Sequence, residues 1–316
     1  MEVVSFGETT SEYDVWQVEH DSNGFVMLKN KKTEKYLDLD SALATNKRKI
    51  QLYSGNGTYA QKWIVVNKNG KYQIISAVNP NFVVDLSNAS LDGGDYGIIQ
   101  LYYDNTTAAQ RWNFKKIYDI GTVLNIEGTE YTVIEQKENN KYLVMTNESI
   151  GNLRILQSGS RPDSQNVNTY EGSSIDEDLE NDWYNSLPSS LKVAIQPINI
   201  KQASYATKDD SDSKQETGPN GQTYNEINRH VFLPSVDEIG KVVDLKNPDK
   251  VKSFLNGMSI WTRDSFQGIA FYMEYLDAYS GSLDYNSVGY FYGVRPAFVI
   301  DLSKVDYTVT GSVNYK

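Results

Sequence analysis

The stretches IQLYSGNGTYAQKW (50–63) and IQLYYDNTTAAQRW (99–112) align without a gap, and each ends in tryptophan. A more divergent third copy, VVSFGETTSEYDVW, occupies residues 3–16, so the tryptophans stand 47 and 49 residues apart. Apolar and polar residues alternate in KYLDL (35–39) and FVVDL (82–86), upstream of the last two copies, which indicates short half-buried strands. One such unit cannot bury its apolar side alone, so we expect the three units to share a core.

The Gln-x-Trp signature, present as Gln61-Lys62-Trp63 and Gln110-Arg111-Trp112, resembles that of the ricin-type β-trefoil lectin family. The resemblance covers residues 1–117, which we take as the first domain. In the first copy Asp14 replaces the Gln of the signature, and the strands that should precede that copy are missing. We therefore expect a partial β-trefoil of about ten strands, in a chain that is a fragment of a longer protein.

The resemblance implies two carbohydrate-binding sites. In ricin-type lectins an Asp after the second strand of a unit takes the hydroxyls of a sugar, while an aromatic ring on the third strand stacks on its apolar face. The matching positions in this sequence are Asp38, Gln51 and Tyr53 for one site and Asp85, Gln100 and Tyr102 for the other.

An alternative for these aspartates is structural. Asp38 and Asp85 are also suited to capping turns, because aspartate readily accepts hydrogen bonds from its own downstream backbone. The glutamines and tryptophans of the two Gln-x-Trp signatures are expected to support the core and the turns rather than to touch a ligand.

Residues 118–316 follow a different pattern, with three strand-like segments, then helices after Ser174 and Ser235 and from Pro248, and β structure at the end. Trp261-Thr262-Arg263 and GVRPAFVIDL (293–302) resemble motifs of an uncharacterised bacterial surface-protein domain. That domain is similar to the C-type-lectin-like fold of formylglycine-generating enzymes. The expected chain is mainly β, a partial β-trefoil followed by an α+β C-type-lectin-like domain, with Arg263 and Arg295 paired to carboxylates in its core.

Residues 264–292 are rich in tyrosine among Asp, Ser, Asn and Gly. This composition is typical of binding surfaces, because tyrosine offers a large contact area at a small entropy cost and small polar residues adapt to a partner. The alternative is a tyrosine-rich β surface packed on the sheet. The candidate protein- or ligand-binding residues are Tyr272, Tyr275, Tyr279, Tyr285 and Tyr290.

The amino-acid composition argues against several classes of function. Asp and Glu number 41 against 30 Lys and Arg, a net charge of −11, which argues against binding to nucleic acid or anionic membranes. Cysteine is absent, which excludes thiol catalysis and thiolate zinc sites, and His20 and His230 are the two histidines. We expect no metal, no other cofactor and no catalytic residue. No stretch approaches the roughly 18 consecutive apolar residues of a membrane span.

Three hypotheses follow for the function. The first is a non-catalytic carbohydrate-binding protein, extracellular or on a bacterial cell surface, with glycans or glycoproteins as partners and any signal or anchor outside this sequence. In the second, the trefoil is a scaffold, and the Tyr-rich segment 264–292 makes the chain an adhesin or diversified receptor for a host or bacterial surface protein. The third is an enzyme targeted by the trefoil, although no carboxylate pair stands out by its spacing. The first is the hypothesis we favour.

Overall fold

A computed structural model describes residues 4–6, 14–89, 96–114, 116–138, 140–158, 168–204, 223–266 and 271–316. The side chains of 4–6, 96, 203–204 and 223–225 are outside this description. The chain divides into two compact units, Met1–Lys115 and Lys116–Lys316. The division lies two residues before the end of the first expected domain. Within the ranges described, no helix has the length and apolar character needed to cross a lipid bilayer.

The first unit is a single antiparallel sheet of nine strands in its described part, with the order β1-β9-β5-β4-β3-β6-β7-β8, β2 pairing with β3 and β8 also pairing with β9. The strands β1, β5 and β9 come from the same position in the three sequence copies, and β9 pairs with both of the others. This is the pairing of a β-trefoil-like region built from repeated units. The strands are β1 Val4–Phe6, β2 Trp16–His20, β3 Val26–Asn30, β4 Tyr36–Leu39, β5 Arg48–Tyr53, β6 Trp63–Lys68, β7 Lys71–Ser76, β8 Phe82–Leu86 and β9 Tyr96–Tyr103.

Trp63 and Trp112, which end the two copies at 50–63 and 99–112, make the same hydrogen bond in each copy. The indole N–H of Trp63 donates to the carbonyl oxygen of Leu37 at 3.1 Å, and that of Trp112 donates to the carbonyl oxygen of Val84 at 3.2 Å. The backbone of Trp63 pairs with β3, and that of Trp112 pairs with β7, the corresponding strand of the next unit. Trp63 is fully buried beside the other apolar side chains at the centre of the unit. Trp112 is only partly buried against the same core, so the gapless alignment of the two copies corresponds to the same hydrogen bond at each tryptophan but not to the same burial.

The turns repeat as well. A 3-10 turn at Asp40–Ala42 corresponds to one at Ser87–Ala89, and a second turn at Tyr59–Gln61 corresponds to one at Ala108–Gln110. Ser41 and Asn88 both adopt a left-handed backbone, with φ of 57° and 58°. These shared turns place the glutamines of the two Gln-x-Trp signatures, Gln61 and Gln110, at matching positions in the two copies.

The second unit holds three sheets. One has six strands in the order β13-β19-β12-β11-β10-β20, one is the hairpin β14-β15, and one has the order β16-β17-β18. The unit is rich in β structure with few helices, and the C-type-lectin-like fold stays a prediction. The strands are β10 Thr122–Ile126, β11 Thr129–Glu138, β12 Lys141–Thr146, β13 Ile195–Gln196, β14 Ile198–Ser204, β15 Thr223–Arg229, β16 Ile260–Ser265, β17 Tyr272–Asp277, β18 Ser282–Ser287, β19 Ala297–Asp301 and β20 Thr308–Ser312.

The helices of the second unit begin close to where the sequence predicts them. The first is capped by Ser173, which accepts from Asp176 N–H, one residue earlier than the predicted Ser174. Ser235 and Glu238 form a capping box at the start of the helix predicted after Ser235. The helices are α1 Ser174–Glu177, continued by a π-turn at Asp178–Trp183 and by α2 Tyr184–Ser186, then α3 Ser189–Ala194, α4 Val236–Val242 and α5 Pro248–Leu255.

The two buried arginines of the second unit have different partners. Arg263 forms the expected carboxylate pair, with Nη1 and Nη2 at 2.5 and 2.9 Å from the two carboxylate oxygens of Glu238. The same expectation is wrong for Arg295, which donates to the carbonyl oxygens of Phe254 and Leu255 at 3.0 and 3.3 Å. These carbonyls end α5 and carry the negative end of its dipole, which takes the place of a carboxylate.

Candidate functional site

Asp38 on β4 is held by two glutamine amides. Gln51, its register partner on β5, donates from Nε2 to Oδ1 at 3.0 Å, and Gln61 donates from Nε2 to Oδ2 at 3.1 Å. Gln61 also donates to the carbonyl oxygen of Ser54 at 2.9 Å and accepts from the N–H of Asn56 at 3.0 Å. Both carboxylate oxygens of Asp38 thus accept from neutral donors that are themselves fixed.

Asp85 on β8 repeats this network contact for contact. Gln100 Nε2 donates to Oδ1 at 2.8 Å, and Gln110 Nε2 donates to Oδ2 at 3.1 Å. Gln110 also donates to the carbonyl oxygen of Tyr103 at 3.0 Å and accepts from the N–H of Asn105 at 3.0 Å. Asp38 and Tyr53 are 15 residues apart, whereas Asp85 and Tyr102 are 17 residues apart. Each Asp nevertheless lies opposite its Gln, so the two additional residues lie in the chain between Asp85 and Gln100.

Both carboxylates are buried, with 4% of Asp38 and 5% of Asp85 exposed. Each carboxylate oxygen accepts from one side-chain amide rather than from the downstream backbone of a turn, so the alternative that these aspartates cap turns is wrong. In the described part of the chain neither carboxylate has an ion-paired Lys or Arg. A carboxylate has about four acceptor positions, so about two at each aspartate stay open to a hydroxyl that reaches it.

The predicted aromatic partners lie on the same side of the sheet as the aspartates. Tyr53 follows Gln51 by two residues, as Tyr102 follows Gln100, and residues two apart on a strand share a face. Tyr53 is 51% exposed, whereas Tyr102 is partly buried and Gln100 is only 8% exposed. The structure therefore brings each predicted triplet together and leaves the Asp38 copy more open than the Asp85 copy.

Tyr36 is a residue of the Asp38 copy that sequence reasoning missed. It lies opposite Tyr53 in the register of β4 and β5, where the Asp85 copy has the fully buried Val83 opposite Tyr102. Its hydroxyl donates to Glu19 Oε2 at 2.9 Å, which raises the pKa of Tyr36 above its usual value. A Cβ at Gly55 would lie 2.7 Å from the Tyr36 ring, so this glycine makes room for the ring. The two-residue spacing of Tyr36 and Asp38 is the signal that places both on one face.

The Tyr-rich segment 264–292 splits between surface and core, with residues 267–270 outside the described ranges. Tyr279, Tyr285 and Tyr290 are 92%, 45% and 56% exposed, and Tyr272 is partly buried. Tyr275 is a wrong candidate because it is 7% exposed, with its ring stacked on Tyr292 at 4.1 Å. Burial raises the pKa of the Tyr275 hydroxyl well above its ordinary value. Its place on the inner face of β17 follows from alternation along the strand.

The sequence analysis did not single out two phenylalanines that contribute to the surface of this region. Phe291 is 62% exposed between Tyr290 and Tyr292. Phe266 stacks on Tyr285 at 3.8 Å between ring centroids.

Neither histidine joins a metal-binding cluster. His230 Nδ1 lies 2.6 Å from Glu180 Oε1, and its ring stacks on Tyr184 at 4.5 Å. In the described ranges no three His, Asp or Glu side chains converge as metal ligands.

The comparisons with known proteins give two family matches. The model described as ricin-type beta-trefoil lectin domain-like matches residues 12–102. The model described as a domain of unknown function, DUF6273, matches residues 139–302. No curated protein matches the chain.

Among solved structures, the chain is similar to ThreeFoil, a designed threefold-symmetric protein, at 20% identity over 37% of this chain and 81% of that one, with a TM-score of 0.35. It is similar to the Polyporus squamosus lectin bound to an influenza-binding epitope, at 26% identity over 34% and 37%, with a TM-score of 0.30. It is also similar to an endo-β-galactosidase of Clostridium perfringens, at 21% identity over 36% and 27%, with a TM-score of 0.30. The chain spans less than half the length of the last two.

The second unit carries the match that covers most of the molecule. Residues 139–302 are 164 of the 316 residues, more than half the chain. The chain therefore belongs to the DUF6273 family, and its first unit carries a ricin-type β-trefoil lectin-like region.

Proposed function

We propose that this protein binds carbohydrate through its β-trefoil-like unit, at one site around Asp38 and a second around Asp85. The observation that carries the proposal is the duplicated buried carboxylate, held by two glutamine amides and without a cation partner in the described ranges. The match of residues 12–102 to the lectin-like family model supports the same assignment. The role is non-enzymatic, and the protein acts outside the cell or on its surface with glycans or glycoproteins as partners.

The chemistry of the duplicated carboxylate suits sugar hydroxyls. Burial of an anion without a cation is costly, because water is removed and no opposite charge replaces it. Two amide donors per carboxylate offset part of that cost and fix the direction of the remaining lone pairs. Hydroxyl donors from a ligand complete the set, as charge-assisted hydrogen bonds in a site that is already ordered.

The two sites differ in their aromatic platforms. Tyr53 presents half of its surface to solvent, and Tyr36 lies beside it on the same face, whereas the second site has Val83 at the position of Tyr36. A ring that stacks on a pyranose needs an exposed face. The Asp38 site is therefore the stronger of the two.

A glycan array followed by calorimetry tests the proposal. Tyr53→Ala removes the stacking ring but no contact of the Asp38 network, and we expect it to weaken binding of the best glycan about tenfold or more. Tyr279→Ala, which removes an exposed tyrosine of the second unit, is the matched control and leaves affinity unchanged. Full affinity in both Tyr53→Ala and Tyr102→Ala would show that the sugar sites lie elsewhere.

The second candidate function is protein binding through the Tyr-rich segment 264–292, in an adhesin or diversified receptor. The exposed rings of Tyr285, Tyr290 and Phe291 favour it. Binding energy at such surfaces concentrates in a few aromatic residues, so Tyr285→Ala is expected to cost about 2 kcal/mol with a protein partner. A wild-type protein that binds no glycan on the array favours this function over the first.

A further inference from the structure

A cavity of about 360 Å³ opens on the helical segment of the second unit. Its volume lies in the range of small-ligand pockets. It combines an indole, a guanidinium, a hydroxyl and two carboxylates, and no function discussed above uses it. The lining residues are Arg154, Asp178, Asp182, Trp183 and Ser186.

A π-turn gathers these side chains on one side of the helix. The N–H of Tyr184 bonds to the carbonyl oxygen of Leu179, five residues earlier. In an α-helix of 3.6 residues per turn, Asp178 and Trp183 would point about 140° apart. The wider π-turn brings residues five apart to the same side, and such turns are frequent at functional sites. The π-turn is therefore the reason that Trp183 lines the cavity together with Asp178.

The indole of Trp183 retains an unused donor. Trp63, Trp112 and Trp261 each donate their indole N–H to a backbone carbonyl oxygen. No protein acceptor within the described ranges takes the indole N–H of Trp183. The indole packs on Phe298, with ring centroids 6.3 Å apart, and contributes the cavity's aromatic wall. The wall thus offers both an apolar surface and a hydrogen-bond donor.

Arg154 and Asp178 are held in place in the cavity before any ligand arrives. Arg154 pairs through its backbone with Tyr292 in both directions, and its carbonyl oxygen accepts from the indole of Trp261 at 2.9 Å. Its guanidinium Nη1 lies 2.9 Å from Asp178 Oδ2. Asp182 is exposed and has no ion pair in the described part of the chain.

We infer that this cavity is a further carbohydrate site, which takes one uncharged pyranose residue against Trp183 with its hydroxyls on Asp178, Asp182 and Ser186. An aromatic wall with adjacent carboxylates matches the two chemical faces of a pyranose, one apolar and one rich in hydroxyls. Acidic sugars are disfavoured, because two carboxylates face one guanidinium that is already paired. The site belongs to the second unit and is independent of the sites proposed around Asp38 and Asp85.

The test uses fluorine NMR of the full chain, in which 5-fluorotryptophan replaces each of the five tryptophans and each gives its own resonance. The resonance that disappears in Trp183→Phe belongs to Trp183. Galactose, glucose, N-acetylglucosamine, N-acetylneuraminic acid and choline are titrated to about 50 mM, which detects affinities in the millimolar range. We expect at least one neutral sugar to shift the Trp183 resonance. Asp182→Asn and Asp178→Asn should weaken that response about fivefold or more. Asp306→Asn, at an exposed aspartate outside the cavity, leaves it unchanged.

Several outcomes would overturn the inference. One is a Trp183 resonance that no neutral sugar moves; another is a response that only choline or N-acetylneuraminic acid produces. A sugar response that survives both Asp178→Asn and Asp182→Asn also overturns it. Responses confined to Trp63 or Trp112 would support the trefoil sites while rejecting this one, so the two proposals fail separately.

Discussion

The two units of this protein bury carboxylates in opposite ways. In the first unit Asp38 and Asp85 are held by neutral glutamine amides. In the second, Glu238 accepts from Nη1 and Nη2 of Arg263, and the buried Asp176 accepts from Nε and Nη2 of Arg229. A guanidinium cancels the charge it pairs with, whereas an amide fixes a carboxylate and leaves its charge in place.

The partner of a buried carboxylate therefore indicates whether that carboxylate supports the fold or can bind a ligand. A buried carboxylate with a guanidinium nitrogen on each of its oxygens has little capacity left for a ligand, so the Arg263–Glu238 and Arg229–Asp176 pairs belong to the framework of the second unit. A carboxylate held by amides keeps its negative charge, and the amides fix its orientation. Binding sites use this arrangement for hydroxyl donors. Breaking each kind of partner should therefore have different consequences for stability and for binding.

The largest expected effect is at the arginine-clamped carboxylate. Glu238→Ala leaves Arg263 charged and buried without its partner, and removes the capping box of α4. We expect the second unit to lose about 3–5 kcal/mol of unfolding free energy. Hydrogen exchange resolved by peptide, across β16 and α4, measures the loss within that unit.

Asp178→Ala is the matched control for Glu238→Ala, because it breaks an ion pair with Arg154 that is about one third to one half exposed. Its cost should stay at or below about 1 kcal/mol. Equal protection of the β16 amides in both variants would contradict the framework role assigned to the Glu238–Arg263 pair.

The repeats show which features of the candidate site can be predicted from the sequence. Equal copy lengths and the Gln-x-Trp signatures predicted which side chains meet, and Asp38, Gln51 and Tyr53 do lie together. Burial of the aspartates was beyond prediction, because it depends on Gln61, which returns through a turn 23 residues away to fill the second carboxylate oxygen. Local spacing reports which face a residue occupies but does not report what long-range partner covers it.

In the second unit, the sequence patterns failed where helix geometry departs from the ideal. The sequence predicted the helix after Ser174, yet the π-turn at Asp178–Trp183 changes the direction of the side chains that follow it. Strand alternation would have separated the buried Tyr275 from the exposed Tyr285, but composition treated them alike. The arginine motifs were informative because a buried guanidinium requires an acceptor, although Arg295 met that requirement with helix carbonyls.

A smaller effect is expected at the amide-held carboxylates. Asp38→Ala and Asp85→Ala each leave glutamine amide donors without their acceptor in the interior, at a cost of about 1–3 kcal/mol to the first unit. Urea unfolding monitored by exchange of the β4–β5 and β8–β9 amides measures it. Asp40→Ala, which breaks the partly exposed pair with Arg48, is the control and should cost about 1 kcal/mol or less. Asp38→Ala with wild-type stability and wild-type glycan binding would remove the distinction between amide-held and arginine-clamped carboxylates.

The smallest expected effect comes from a third kind of carboxylate, which has neither an amide donor nor a cation partner among the described residues. Burial of Glu274 on β17, together with the charges of Asp264 and Asp237, raises its pKa from 4.5 to about 7. The folded protein therefore keeps the Glu274 proton up to about pH 7, while the unfolded chain releases it near pH 4.5. Stability from this group is complete below pH 4.5 and is lost as the pH rises through 7. Glu274→Gln should match the wild type at pH 4 and exceed it at pH 8 by on the order of 1–2 kcal/mol, since the side chain is only partly buried. Thermal melting of both proteins from pH 4 to 8 measures the difference, and parallel melting curves across that range would show that Glu274 ionises at its ordinary pKa.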